Sequence, residues 1–245
     1  KEKFYSEKYK DEIEYKKKIF EKIDQIICVS ENTKKDLLEE YNIDASKISV
    51  IYHGVDKNKN IRERSLNIRP FILYVGSRQR YKNFDNAIKS YARSNRLKLD
   101  FDFVCFGGGN FIKEEEELFK SLSINRDRIH YYEGDDQDLN YFYSNARIFI
   151  FPSLYEGFGM PLLEAMNMQC PIICSDTSSF PEIVNDSAIL FNPKNIEMLT
   201  FKIEKLIYDD QLLLDLKKRG NINLNNYNWN KCANETEEVY KKLII

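Results

Sequence analysis

The stretch that most limits what this chain can fold into runs from Arg147 to Cys174, RIFIFPSLYEGFGMPLLEAMNMQCPIIC. It opens on an unbroken apolar run, Ile148 to Phe151, closed by Pro152. A short run with no polar alternation suits a strand covered on both faces. A loop containing Gly157 and Gly159 follows, and Pro161 stands where a helix can begin, because the first helical residue needs no N–H. Leu162, Leu163, Ala165 and Met166 then supply a helical apolar face to about Met168, and Pro171 to Cys174 is the next strand. Strand, helix and strand in so few residues make a βαβ unit, which requires the two strands to be parallel.

The same alternation extends over most of the chain. Apolar runs at Phe71–Val75, Phe101–Phe106, Ile129–Tyr132, Ile148–Phe151, Ile172–Cys174 and Ala188–Phe191 are separated by helical patterns such as Phe84, Ala87, Ile88, Tyr91. Strands alternating with helices predict an α/β fold with a doubly wound parallel sheet. Before it, residues 4 to about 23 read as an amphipathic helix, Gln25–Val29 and Ile48–Tyr52 as strands, and Thr33–Tyr41 as a helix capped by Ser30. After it, 195–208, 209–226 and 230–243 read as helices.

In an open parallel sheet, ligands bind beyond the carboxyl ends of the strands. Tyr155 to Met160 lie there, framed by Glu156 on the loop and Glu164 one turn into the helix. Carboxylates accept hydrogen bonds from hydroxyls and repel phosphate, whereas N–H groups at a helix start favour an anion. One ligand carrying both sugar hydroxyls and phosphate satisfies this loop. The end of the Phe71–Val75 strand carries Gly76-Ser-Arg78-Gln-Arg80-Tyr-Lys82-Asn83, three cations at a strand end, which suits a diphosphate. Gly107-Gly108-Gly109 follows the next strand and allows close approach of a ligand.

Glu156-Gly-Phe-Gly-Met-Pro-Leu-Leu-Glu164 resembles the E-x7-E motif of retaining glycosyltransferases of family 4, which have the GT-B fold of two facing Rossmann-like domains. Ser144-Asn-Ala-Arg, Pro152-Ser-Leu-Tyr-Glu and Ser179-Phe-Pro-Glu-Ile-Val also resemble that family's donor-binding half. The resemblance implies a nucleotide-diphosphate sugar, GDP- or UDP-linked, as donor, with no separate cofactor and no metal. It assigns catalysis to Glu156, on the sugar hydroxyls, and to Arg78 and Lys82, on the leaving diphosphate. Glu164 takes the ribose, while Gly157, Phe158, Gly159, Met160, Pro161 and Leu162 border the ligand; Gly108 approaches it and Tyr132 stacks on the base. Arg80 is the alternative to Arg78, because Ser77 stands where many members have Arg.

The resemblance also divides the chain: 1–52 as the end of the acceptor-side domain, 53–228 as the nucleotide-sugar domain, and 229–245 as a helix crossing back. It implies hexosyl transfer, with a tilt to mannose, to a glycan or lipid-linked acceptor. A partner chain is expected to supply the acceptor side, without which little or no sugar is transferred, and the exposed first residues are expected to make the chain prone to dimerise. Two other readings remain open: a non-catalytic nucleotide-sugar-binding subunit, and another GT-B enzyme such as an epimerase or a phosphorylase.

Composition excludes little beyond this. A formal net charge of -2 gives no reason for nucleic acid as a partner. Cys28, Cys105, Cys170, Cys174 and Cys232 lack zinc-finger or C-x-x-C spacing and read as reduced, mostly core residues of a cytoplasmic protein. No apolar run approaches the roughly 20 residues of a membrane span. Lys16-Lys17-Lys18 allows at most peripheral contact with the inner membrane face. His53 reads as part of a hinge, Asp135, Asp136 and Asp138 as helix caps, and Gln169, where the family usually has Gly, implies a differently built helix end.

Overall fold

A computed structural model of the chain describes residues 8–57 and 60–244, with the side chains of the first helix described from Ile13. In chain order the first elements are α1 (Lys8–Phe20), β1 (Ile26–Cys28), α2 (Glu31–Glu40), β2 (Ile48–Val50), β3 (Phe71–Val75), α3 (Phe84–Arg93) and α4 (Asn95–Asp100). Next come β4 (Asp102–Phe106), α5 (Lys113–Ser121), β5 (Ile129–Tyr132), α6 (Asp136–Asn145), β6 (Ile148–Phe151) and α7 (Met160–Asn167). The chain closes with β7 (Ile172–Ser175), α8 (Phe180–Val184), β8 (Ala188–Phe191), α9 (Ile196–Ile207), α10 (Asp210–Asn223) and α11 (Trp229–Ile244). Phe4 and Tyr5 of the expected first helix lie outside the described residues.

These elements form two units. The smaller holds the described residues up to Gly54 together with those from Tyr227 onward. In it β1 and β2 pair in parallel with Ile26 opposite Ile48, and Ser30 caps α2 by accepting from the Thr33 N–H at 3.0 Å. Gly54 lies against the backbone of Asn228 and Trp229 so closely that a Cβ would stand 2.2 Å from the Trp229 nitrogen. His53 packs its ring 5.7 Å from that of Trp229, and burial pulls its imidazole pKa below the usual value.

The larger unit, Val55–Asn226, carries a parallel sheet in the order β5-β4-β3-β6-β7-β8. Every residue of β3, β4, β6 and β7 is buried, the burial expected of strands with helices on both faces. Ile72, Tyr74, Phe103, Cys105, Ile148, Ile150 and Ile173 join one cluster with Phe84, Ile88 and Tyr91 of α3, Phe119 of α5 and Leu199 and Ile203 of α9. The alternate residues of the same strands turn the other way, where the Phe71 and Phe106 rings meet Phe142 of α6 and Phe149 meets Tyr143. Four of the five cysteines are buried, and all are free thiols.

Two local features differ from the sequence reading. The Phe101–Phe106 run loses its first residue to the end of α4, a six-residue helix capped by Ser94, which is too short to show a period. At the end of α7, Gln169 adopts φ +55°, with its N–H donating to Met166 O and that of Cys170 to Ala165 O. That is a glycine-type Schellman end, not a differently built one, and it carries a left-handed strain of about 1 kcal/mol.

Candidate functional site

The strand order runs outward in both directions from the β3/β6 pair, where Ile72 faces Ile148. This is the switch point of a doubly wound sheet, and the crevice beyond its carboxyl ends is where the fold leaves room for a ligand. Two loops meet there. After β3 comes Gly76 at φ +111°, then a tight turn over Arg80–Lys82, then Asn83 in the left-handed region. After β6 comes Pro152 to Gly159. The loops are tied together: Leu154 N–H donates to Tyr81 O at 2.7 Å, and the Asn83 amide donates to Pro152 O at 3.0 Å.

Across this junction Lys82 Nζ and Glu156 Oε1 form an ion pair at 2.6 Å, with each side chain only 17% exposed. The ammonium also lies 5.4 Å from the Tyr81 ring centre and 5.7 Å from that of Phe151, a mostly aromatic wall. Glu156 is held by its backbone: its N–H donates to Ser178 Oγ at 3.1 Å, while Ser178 and Ser179 hydroxyls donate to its carbonyl. Ser179 also donates to Phe158 O at 2.8 Å. These serines precede α8; the sequence marks Ser179 through the Ser179-Phe-Pro-Glu-Ile-Val stretch, and Ser178 only as part of a hydroxyl-rich Thr177-Ser178-Ser179 run after a strand.

Gly159 opens α7 at φ +101°, and a Cβ there would meet Leu162 at 3.1 Å and Phe180 at 3.4 Å, so glycine is required. Phe158 and Leu162 are buried, leaving their backbone rather than their side chains to border the crevice, while Gly157, Met160 and Pro161 are half-buried. Fewer helix-start donors are free than the sequence suggests. Pro161 has no N–H and that of Leu162 donates to Gly159 O at 2.9 Å. Glu164 has a different partner from Glu156: Tyr143 Oη donates to it at 3.2 Å. Burial pushes the Glu164 carboxyl above the usual range, against the opposing pull of that hydrogen bond.

Arg78, expected at the diphosphate, has its guanidinium engaged within the chain. Nε donates to Glu115 at 2.8 Å, Nη1 to Gly107 O at 3.0 Å, and Nη2 to Gly109 O at 2.7 Å and Asn110 O at 3.0 Å. Its side chain is 3% exposed and its ring neighbours are Phe84, Phe111 and Tyr131. The tight approach at Gly108 has the same internal cause: at φ +82°, a Cβ would stand 2.8 Å from Gly76 O and 3.0 Å from Arg78. Arg80, in contrast, is exposed, at φ +34°, and pairs with no carboxylate among the described residues. Tyr132 packs its ring 4.8 Å from Phe142 and stacks on His130.

Two of the three aspartates near β5 hold structure, and the third, Asp136, is the first residue of α6. Asp135 caps α6, accepting from Gln137 and Asp138 N–H, and Asp138 is paired with Arg62 and Arg64.

The family model of glycosyl transferases group 1 matches residues 56–223, and that of glycosyltransferase family 4 matches residues 3–59. The chain belongs to the glycosyl transferases group 1 family. Among curated proteins it is similar to O-antigen chain mannosyltransferase B of Escherichia coli, 26% identical over 96% of this chain and 66% of that protein. It is also similar to O-antigen chain mannosyltransferase RfbU of Salmonella typhimurium, 30% identical over 74% of this chain and 53% of the other. The chain thus spans between about half and two thirds of the length of these relatives. Among solved structures, Anabaena HepE in complex with UDP and glucose aligns with a TM-score of 0.85 at 16% identity, over 98% of this chain and 68% of that one. A sucrose-phosphate synthase from Thermosynechococcus elongatus gives 0.83 at 22%, over 99% and 64%. These likenesses establish the GT-B glycosyltransferase fold for the group 1 chain. Among the described residues no helix is long and apolar enough to cross a membrane.

Proposed function

We propose that this chain binds a nucleotide-diphosphate sugar in the β3/β6 crevice and transfers its hexose, with retention at the anomeric carbon, to a glycan or lipid-linked acceptor. The observation that carries this reading is the Lys82–Glu156 pair at the switch point. A cation suited to diphosphate stands beside a carboxylate suited to sugar hydroxyls, and one donor molecule presents both groups. The names of the relatives support mannose as the sugar, and the resemblance of Gly76 to Asn83 to mannosyltransferase-like family members makes GDP the first nucleotide to test.

In this reading Lys82 neutralises charge on the diphosphate as the bond to the anomeric carbon breaks, a gain that grows towards the transition state. Glu156 orients the sugar through its hydroxyls, and the Phe158–Gly159 backbone borders it. Glu164 accepts from the ribose, and Tyr132, on its His130 and Phe142 platform, faces the base. Arg78 serves the diphosphate by holding the Gly107–Asn110 turn, and Arg80 supplies further positive field from the surface. Calorimetric titration with GDP, UDP and ADP and their sugars tests the reading. Lys82→Ala is expected to weaken the preferred nucleoside diphosphate by about 1 to 3 kcal/mol and hardly alter the nucleoside, since a charged partner is removed. Equal weakening of both overturns the assignment.

A further inference from the structure

We infer that the Lys82–Glu156 pair is a latch that makes the crevice favour the sugar-bearing donor over the bare nucleoside diphosphate; this rests on the donor-site reading above. The two groups assigned to different parts of the donor satisfy each other at 2.6 Å, in a place where each is only 17% exposed. Neither backbone is free to withdraw. Lys82 ends a turn whose N–H donates to Gln79 O at 2.9 Å and whose neighbour Tyr81 accepts from Leu154. Glu156 is pinned at both N–H and carbonyl by Ser178 and Ser179. The pair therefore opens by side-chain rotation alone, chiefly of the flexible lysine stem.

A diphosphate that takes Lys82 leaves Glu156 without its cation and beside a new anion. A half-buried carboxylate in that position carries the penalty of an unpaired charge. If the diphosphate carries a hexose, the hexose hydroxyls donate to Glu156 and both groups are partnered again. The nucleoside diphosphate left after transfer lacks those hydroxyls, so closing of the pair competes with it for Lys82. The latch thus opposes product retention and admits the donor.

The two ligands should respond differently to one substitution. Titration of the parent and Glu156→Gln with GDP and GDP-mannose, and with UDP and UDP-glucose, is expected to show the variant binding the bare diphosphate more tightly, by roughly tenfold for a lost unpaired-charge penalty. Its affinity for the sugar-bearing partner should be unchanged or lower. Lys82→Met should weaken both ligands, and melting curves of each variant confirm that the fold is intact. If the parent binds and Glu156→Gln leaves the diphosphate affinity unchanged or lowers it together with that of the donor, the latch is overturned and the donor site stands. A parent that binds none of these four ligands, nor ADP and ADP-glucose, overturns the donor-site reading and the latch with it.

Discussion

Arg78 and Glu115 offer the sharpest separation between a ligand-binding cation and a structural one. Their side chains are 3% and 11% exposed, and the guanidinium makes four hydrogen bonds, to Glu115 and to the carbonyls of Gly107, Gly109 and Asn110. Glu115 closes the arrangement by accepting from the Ile112 N–H at 2.9 Å, at the start of α5. The clasp joins the end of β3, the turn after β4 and the α5 start. Arg78→Met leaves Glu115 a buried anion and strips partners from three carbonyls, and breaking a buried pair this way costs about 3 to 5 kcal/mol. At roughly 2 to 4 °C per kcal/mol for a domain of this size, the melting temperature should fall by about 6 to 20 °C. Removing both partners in Arg78→Met/Glu115→Met should cost about 1 to 3 kcal/mol less than the sum of the single losses.

The binding arm of the same experiment decides the role. A clasp acting through the Gly107–Asn110 turn predicts that Arg78→Met weakens nucleoside and nucleoside diphosphate together. Direct contact with phosphate predicts a loss confined to the diphosphate, and a gain in Glu115→Gln, where a competing carboxylate is removed. Melting followed by circular dichroism, with calorimetry of GDP against guanosine, separates the two. A variant that melts within about 2 °C of the parent refutes the clasp, because a buried charge pair cannot be broken so cheaply.

Two further outcomes follow from the geometry. Glu164 has its carboxyl pKa raised by burial, so ionising it disfavours the folded state: the stability it contributes is complete below the usual carboxylate pKa and is lost as pH rises through the raised one. Glu164→Gln should therefore melt above the parent at pH 8 and level with it at pH 4, while Glu164→Ala, which removes the ribose acceptor, should weaken both nucleotide and nucleotide sugar by roughly tenfold. Gly108→Ala should destabilise by about 1 to 3 kcal/mol, because it combines φ +82° with a 2.8 Å contact to Gly76 O, and Gly76→Ala should cost less, having φ +111° but open space; urea denaturation of the two variants ranks them.

The sheet was legible because buried parallel strands read as unbroken apolar runs, and the helices between them forced the order of crossing. Phe71–Val75 and Ile148–Phe151 stand in the fold with the bounds their sequences suggest, and the crevice beyond them follows from topology alone. What the sequence could not carry is the choice of partner among chemically equivalent side chains. Arg78, Arg80 and Lys82 fall within five residues, and spacing from Gly76 cannot tell which is buried. That depends on Glu115, 37 residues from Arg78, and on Glu156, 74 residues from Lys82, both brought in by neighbouring strands of the sheet. Tyr143 reaches Glu164 from α6 in the same way. Gln169 shows the energetic side of the limit. A left-handed glutamine is disfavoured by about 1 kcal/mol, which is less than the roughly 1.5 to 3 kcal/mol gained by burying one Leu such as Leu163 on the same helix, so packing overrides the local preference. The partners of Arg78, Lys82 and Glu164 are set by contacts between segments far apart in the chain, which the sheet brings side by side.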